Sequence, residues 1–301
     1  MQQNLALAGA AARGERRMRS SVLRRFARNR LAVFGLVVFG LVVLLCVFGP
    51  FASRFGPNTI DLSSVSLPPS ATHWFGTDET GRDMFARTLA AGQVSLTVGL
   101  LSALLSVVLG LLFGGVAGYF GGKIDMLIMR LVDVVMIFPT TIVLLTLAAV
   151  LGPGTGKTIV IVGVLTAPLA VRLVRARVLT VRELDFVAAA RLLGAGDAYI
   201  IVRHCLPNTT DVIVAFASLN FVSAIMMEAG LSFLGLGVQM PFASWGSLLS
   251  LTTDASMMQA YPWMWMPAGI LIVVTALAAN FFGDGLRAAF DPKSNQEQHA
   301  K

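Results

Sequence analysis

Charged side chains leave four long gaps in the chain: Leu31–Ser53, Thr88–Gly122, Val134–Gly156 and Ala255–Gly283 contain no Asp, Glu, Lys or Arg. Each gap is longer than the roughly 20 residues that cross a hydrocarbon core as a helix. A bilayer offers no free backbone partners, so a spanning segment is either a helix or a strand of a closed barrel. These stretches are neither short nor alternating, which selects helices. Two further spans are less obvious. Between Lys157 and Arg172 lie 14 uncharged residues, and the apolar run continues through Leu173, Val174, Val178 and Leu179 with Arg172, Arg175 and Arg177 interleaved. Long arginines near a helix end reach back to the headgroups, so a span is predicted near 157–176. Another runs from about Val212 to Val238 and carries Glu228. The pattern predicts an all-α membrane protein with six transmembrane helices.

Composition agrees. Hydrophobic residues make up 56% of the 301 and charged residues 13%, against roughly 25% charged in soluble domains. A soluble chain of this length lacks enough polar surface here to cover its core. Basic residues also sort by side. With both termini cytoplasmic, the N-terminus, 119–130, 172–210 and the C-tail hold 8, 2, 6 and 3 Lys or Arg, which is 19 of the 23. The outer segments hold only Arg54, Arg82, Arg87 and Lys157, as the positive-inside rule expects. The predicted organisation is a basic cytoplasmic segment 1–30, a first span 31–52, an outer loop 53–93, a five-helix core 94–284 containing a cytoplasmic loop 177–210, and a cytoplasmic tail 285–301.

The net charge of +7 needs no nucleic-acid partner. Residues 13–30 carry eight arginines against Glu15, a composition suited to anionic headgroups, and no base-stacking aromatics accompany them. Ala10–Ala12 precede the basic stretch instead of following an apolar core, so the first span is expected to stay attached. Cys46 and Cys205 fall on opposite sides of the bilayer, beyond the reach of a disulfide.

Motifs for chemistry are scarce. Leu151–Thr158, LGPGTGKT, has Leu151 where a phosphate-binding loop needs glycine, and no strand precedes it; a turn between spans is expected. His73, His204 and His299 stand at no metal-ligand spacing, so neither a metal site nor a catalytic group is expected. Asp133 comes three residues after Arg130, which suggests an i,i+3 pair. Glu228 lies deeper, and an intramembrane carboxylate is a candidate for the substrate path. Pro139 and Pro168 are placed to bend the third and fourth spans. Gly76, Asp78 and Gly81 are expected to shape a turn capping a helix over 80–91, Gly235 and Gly237 to end the fifth span, and Trp245, Trp263 and Trp265 to sit in an interfacial aromatic belt.

The loop 172–210 is the most informative segment. Thr180 and Glu183 form a T-x-x-E capping box, with Asp185 in the first turn. A helix over 181–194 is therefore predicted, ended by Gly194 in the left-handed conformation. Pro207 should prevent a smooth helix into the next span, for which Asn208, Thr209 and Thr210 offer caps. Ala188, Ala189 and Ala190 keep the middle of the 181–194 helix low in profile.

Phe186–Asn208, FVAAARLLGAGDAYIIVRHCLPN, resembles the cytoplasmic EAA loop of ABC importer permeases, with Ala189 and Ala190 as the alanine pair, Gly194 as the glycine and Pro207 as the proline. Ala188 stands where that family usually has glutamate. Residues 75–88, 228–246 and 280–292 resemble segments of the dipeptide/oligopeptide/nickel branch, and of its second permease in particular. The resemblance implies a six-helix type I importer permease, not itself an enzyme, in the inner membrane of a bacterium. It implies partners as well: a homologous second permease, two cytoplasmic ABC ATPase domains that bind ATP and Mg, and an extracytoplasmic peptide-binding protein. It implies that Glu183, Asp185, Phe186, Ala188, Ala189, Ala190, Arg191, Gly194, Ala195 and Pro207 form the ATPase-coupling site. Peptides are the expected substrate, with nickel or glutathione as alternatives on the same machinery. An ATP-independent secondary transporter or channel is the rival class, although no convincing repeat relates the first three spans to the last three.

Overall fold

A computed structural model describes residues 24–290, and every described element is helical or a turn apart from one isolated bridge between Thr77 and Asp83. The basic stretch before residue 24, His299 and the end of the C-tail lie outside the described residues. In chain order the helices are α1 (Arg30–Ala52), α2 (Met84–Phe120), α3 (Gly122–Ile137), α4 (Thr140–Leu151), α5 (Thr155–Val181), α6 (Asp185–Leu192), α7 (Asp197–Phe233), α8 (Trp245–Leu249), α9 (Ala255–Ala260) and α10 (Met266–Phe290). Five are long and apolar enough to cross a membrane, and α3 with α4 makes a sixth span broken by an 87° bend. The break falls at Phe138–Pro139, where proline removes an amide donor and restricts the residue before it. Pro168, by contrast, lies inside the unbroken α5.

Helix bounds depart from the charge gaps wherever a span projects beyond the apolar layer. α2 begins at Met84, ten residues before the expected core boundary at 94, because Asp83 caps it by accepting from the Ala86 amide at 2.8 Å. The cap is thus Asp83, and not the Gly76–Gly81 turn. α7 does not wait for a cap at 208–210. It passes from Asp197 through a π turn (Ile201–Cys205) and a 3₁₀ turn (Leu206–Thr209) that contains Pro207. Thr209 and Thr210 donate back to the Leu206 and Pro207 carbonyls, both at 2.7 Å, instead of capping.

Close packing uses small residues, as expected where lipid removes the hydrophobic drive between helices. Gly110, Gly114 and Gly118 recur every four residues on α2, and a methyl group at any of them would meet Ala170, Val171, Val174, Val178 or the backbone of α5. Gly35 of α1 lies against the Ala278 carbonyl of α10, where a Cβ would come within 2.7 Å. Large apolar side chains such as Phe34, Leu41, Leu44 and Phe48 on α1 and Leu100, Leu104 and Val108 on α2 face outwards, as a lipid-facing surface requires. Cys46 and Cys205 are both free and buried in separate clusters. Asp133 pairs across helices with Arg172, Nη2 to Oδ1 2.6 Å, and not with Arg130 on its own helix. α5 packs on α3, and the ion pair links the two helices.

Candidate functional site

At one end of the bundle, the segment between α5 and α7 folds as a braced bracket. α5 runs on to Val181 because Val174, Val178 and Val181 are buried with Tyr119, Ile200, Ile201 and Cys205. That packing overrides the expected capping box. The Thr180 hydroxyl donates to Ala176 O at 3.3 Å, and Glu183 accepts from Arg182 Nε at 2.9 Å. Leu184 is extended, and α6 begins at Asp185, whose charge suits a helix N-terminus. Its other end is closed by the Gly194 amide donating to Arg191 O (3.0 Å) and the Ala195 amide to Ala190 O (3.1 Å), with Gly194 at φ +82°. This is the paired closure that glycine permits just past a helix end.

Val187 is the single buried residue of α6. Ala190 and Ala195 pack partly against the same cluster, whereas Glu183, Asp185, Phe186, Ala188, Ala189, Arg191 and Gly194 are exposed. Leu192 and Leu193 are 89% and 88% exposed, with Leu184, Phe186 and Tyr199 beside them in the sequence also open. The bracket is tied to the spans by polar contacts. Arg182 Nη1 donates to the Gly118 and Tyr119 carbonyls at 3.0 and 3.1 Å, satisfying the C-terminal end of α2. The Tyr119 hydroxyl donates to Asp197 at 2.7 Å and accepts from Arg191 at 3.3 Å. Arg175 is bonded to Asp125 of α3. Tyr119 is invisible as a site residue in the sequence, since its partners lie more than 70 positions away. Pro207 stands in the turn that carries the chain into the long run of α7.

Glu228 lies at the other end of α7 and is fully buried. It accepts from Ser95 of α2 at 2.8 Å and from Ser232 at 2.6 Å. Ser95 in turn accepts from the Trp245 amide at 3.1 Å, and Ser232 from the Val238 amide at 3.1 Å. One carboxyl group therefore joins two spans and the short helix α8. Trp245 is fully buried instead of belonging to an interfacial belt, and its indole donates to Thr88 O at 3.1 Å. Trp263 donates to Thr77 O at 3.4 Å and Trp265 to Met258 O at 3.1 Å.

The loop before α2 closes the same end. Asp78 accepts from the Thr80 amide and hydroxyl (both 2.8 Å), the Arg82 amide (3.0 Å) and Arg82 Nε (2.7 Å). Burial pushes its carboxyl up, but the bonds from Arg82 and Thr80 outweigh burial and hold it below the usual carboxylate range. Gly81 has φ +76°, and a Cβ there would collide with the Asp61 carbonyl. His73 Nδ1 lies 2.9 Å from Asp83 Oδ2. Within LGPGTGKT only Gly152–Gly154 form the turn between α4 and α5, and Lys157 in the first turn of α5 donates to Leu151 O.

A helical bundle with one broken span and an exposed, braced helix between two others is the architecture of a multi-pass membrane protein. Sequence comparisons make the class specific. Residues 106–296 match the binding-protein-dependent transport system inner membrane component, and residues 18–69 match the N-terminal TM domain of oligopeptide transport permease C. The chain belongs to this family of ABC importer permeases. It is 44% identical over 270 residues to a putative peptide permease protein of Brucella suis biovar 1, covering 90% of this chain and 89% of the relative. It is 40% identical over 270 residues to the dipeptide transport system permease protein DppC of Bacillus subtilis, covering 90% and 84%. It is 38% identical over 271 residues to the oligopeptide transport system permease protein OppC of the same organism, covering 89% and 88%.

Proposed function

We propose that this chain is one of two membrane subunits of an ATP-driven importer of di- and oligopeptides in a bacterial inner membrane, with both termini and the 172–210 loop cytoplasmic. Its partners are a homologous permease, two ABC ATPase domains and an extracytoplasmic peptide-binding protein. ATP and Mg remain with the ATPase domains, and this chain carries no catalytic group of its own.

The observation that carries the reading is α6. A soluble-facing helix ordinarily keeps large apolar side chains covered, and contiguous exposed ones mark a partner site. Here Leu192, Leu193 and Phe186 are open, while Val187, Arg182 and Tyr119 fix the bracket to α2 and α5. Closure of the ATPase pair on ATP moves this helix, and the bracing passes that movement to the spans as a rigid-body shift. Glu228 serves the path indirectly, holding the far-end loop to α2 and α7 as those helices move. The test is peptide uptake by Gly194→Asp. The new side chain meets nothing within 4 Å, but φ +82° strains any residue other than glycine and loosens the end of α6. Insertion, which rests on the spans, is expected to persist while uptake falls to background, and normal uptake would overturn the docking site.

A further inference from the structure

Between α5, α7 and α10, at the end that carries α6, lies a cavity of about 540 Å³ lined by Leu169, Leu173, Phe216, Asn220, Ser223 and Arg287 among others. Its size lies within the range of small-molecule sites, which combine apolar walls with a few placed polar groups. A second groove of about 580 Å³, between α2, α3 and α5, is lined only by apolar side chains and asks for nothing beyond a hydrocarbon chain. The first differs in one respect that hydrocarbon cannot satisfy.

Asn220 is only 5% exposed, and its amide orientation is determined by its neighbours. The Thr166 hydroxyl donates to Val162 O at 3.0 Å. Its oxygen is then an acceptor towards Asn220, which donates Nδ2 at 3.2 Å. The Asn220 Oδ1 atom is thereby left as an acceptor towards the cavity, with no donor among the described residues. The oxygen is not sealed off, so it stands open to a donor that enters the cavity. One turn further, the Ser223 hydroxyl donates to Leu219 O at 3.2 Å and presents its own oxygen as a second acceptor. At the α6 end stand Arg287, exposed and in no ion pair among the described residues, and Asp211, whose charge is taken up by Arg177 at 3.2 Å.

We propose that this cavity is a peptide subsite of the translocation path, in which Asn220 Oδ1 accepts a backbone N–H and Arg287 attracts the C-terminal carboxylate. The proposal rests on the permease reading and assigns its substrate contacts. Gly283 of α10 lies against Ser218 of α7, which puts the Arg287 backbone, one turn nearer the α6 end, about 9 Å from Asn220 along the bundle. An extended peptide covers about 3.3–3.6 Å per residue, so with the reach of the Arg287 side chain a peptide of three or four residues bridges the two groups. A lipid chain would leave both without partners.

The experiment is uptake of tetra-alanine, and of its backbone N-methylated analogue, by the complete transporter in proteoliposomes. Asn220→Leu is expected to raise the half-saturating tetra-alanine concentration about tenfold, the loss of one buried hydrogen bond, with little change in maximal rate. It should also erase the preference for tetra-alanine over the N-methylated analogue. Asn220→Asp, which keeps an acceptor, should restore most of both. A lower maximal rate with unchanged half-saturation and unchanged preference would make Asn220 a packing residue and overturn the proposal. If Asn220→Leu fails to assemble, Ser223→Cys decides. Its labelling by a charged methanethiosulfonate should slow severalfold in saturating tetra-alanine, and an unchanged rate would overturn the subsite. Wild-type transporter that moves no peptide with ATP would overturn the permease reading itself, whereas active wild type with an indifferent Asn220→Leu overturns the subsite alone.

Discussion

Val187→Ala probes the bracket at its narrowest point, because Val187 is the only residue that α6 buries. It is fully enclosed with Tyr119, Val174, Val178 and Ile200. The substitution removes two buried carbon groups at about 0.8 kcal/mol each. The void left behind adds to this, since surrounding side chains collapse only in part, for a total of about 1.5–2.5 kcal/mol. None of it falls on the spans, which are held by their own contacts, so it should appear as local opening of α6 and not as global unfolding. At about 1.4 kcal/mol per tenfold, hydrogen exchange of the α6 amides should accelerate about 10- to 60-fold, with exchange in α2 and α10 unchanged. Mass-spectrometric exchange on the detergent-solubilised chain reads this directly. A change below about threefold in α6, or equal acceleration in α2 and α10, would refute the idea that one buried side chain pins the bracket.

Other consequences are open to test. Asp78 has a folded-state pKa below its unfolded value, so its contribution is present above about pH 4 and is lost as pH falls through the lower folded value. Protease sensitivity of 53–83 should therefore rise only below about pH 4, and Asp78→Asn should raise it already at neutral pH, costing about 2 kcal/mol. Constant sensitivity from about pH 7 to pH 3 would contradict that role for Asp78. Glu228→Leu removes the shared acceptor of Ser95 and Ser232 and should cost about 2–4 kcal/mol, lowering the thermal midpoint by about 5 °C or more. Glu228→Gln keeps one acceptor and should stay within about 2 °C, so equal losses for both would point to charge instead of hydrogen bonding.

Much of this architecture is legible in the chain itself, and the failures have physical causes. Charge gaps locate spans because lipid excludes charge, so the helical class can be read directly, and the glycines of 151–158 mark the turn at 152–154. Proline alone is an ambiguous sign, since Pro139 breaks a span while Pro168 sits inside the unbroken α5. Gly194 can be read for a related reason, since only glycine takes φ +82° without strain. Boundaries are misread where helices leave the bilayer. Thr180 and Glu183 have the right local chemistry for a cap, yet the buried Val174–Val178–Val181 face continues α5 past them. Asp133 finds Arg172 rather than Arg130 because interhelical partners have no fixed spacing. The serines around Glu228, and Thr166 beside Asn220, carry no signal at all, since each becomes polar chemistry only when a distant helix is packed against it.

The most direct test of the importer function is to purify the tagged chain from native membranes in mild detergent and assay ATPase activity in the eluate, comparing wild type with Leu192→Asp/Leu193→Asp. Wild type is predicted to bring down a second permease and an ATPase, and the double variant to keep the permease but lose the ATPase. A wild-type chain that elutes alone, and moves peptide in liposomes without ATP, would contradict an ATP-driven importer.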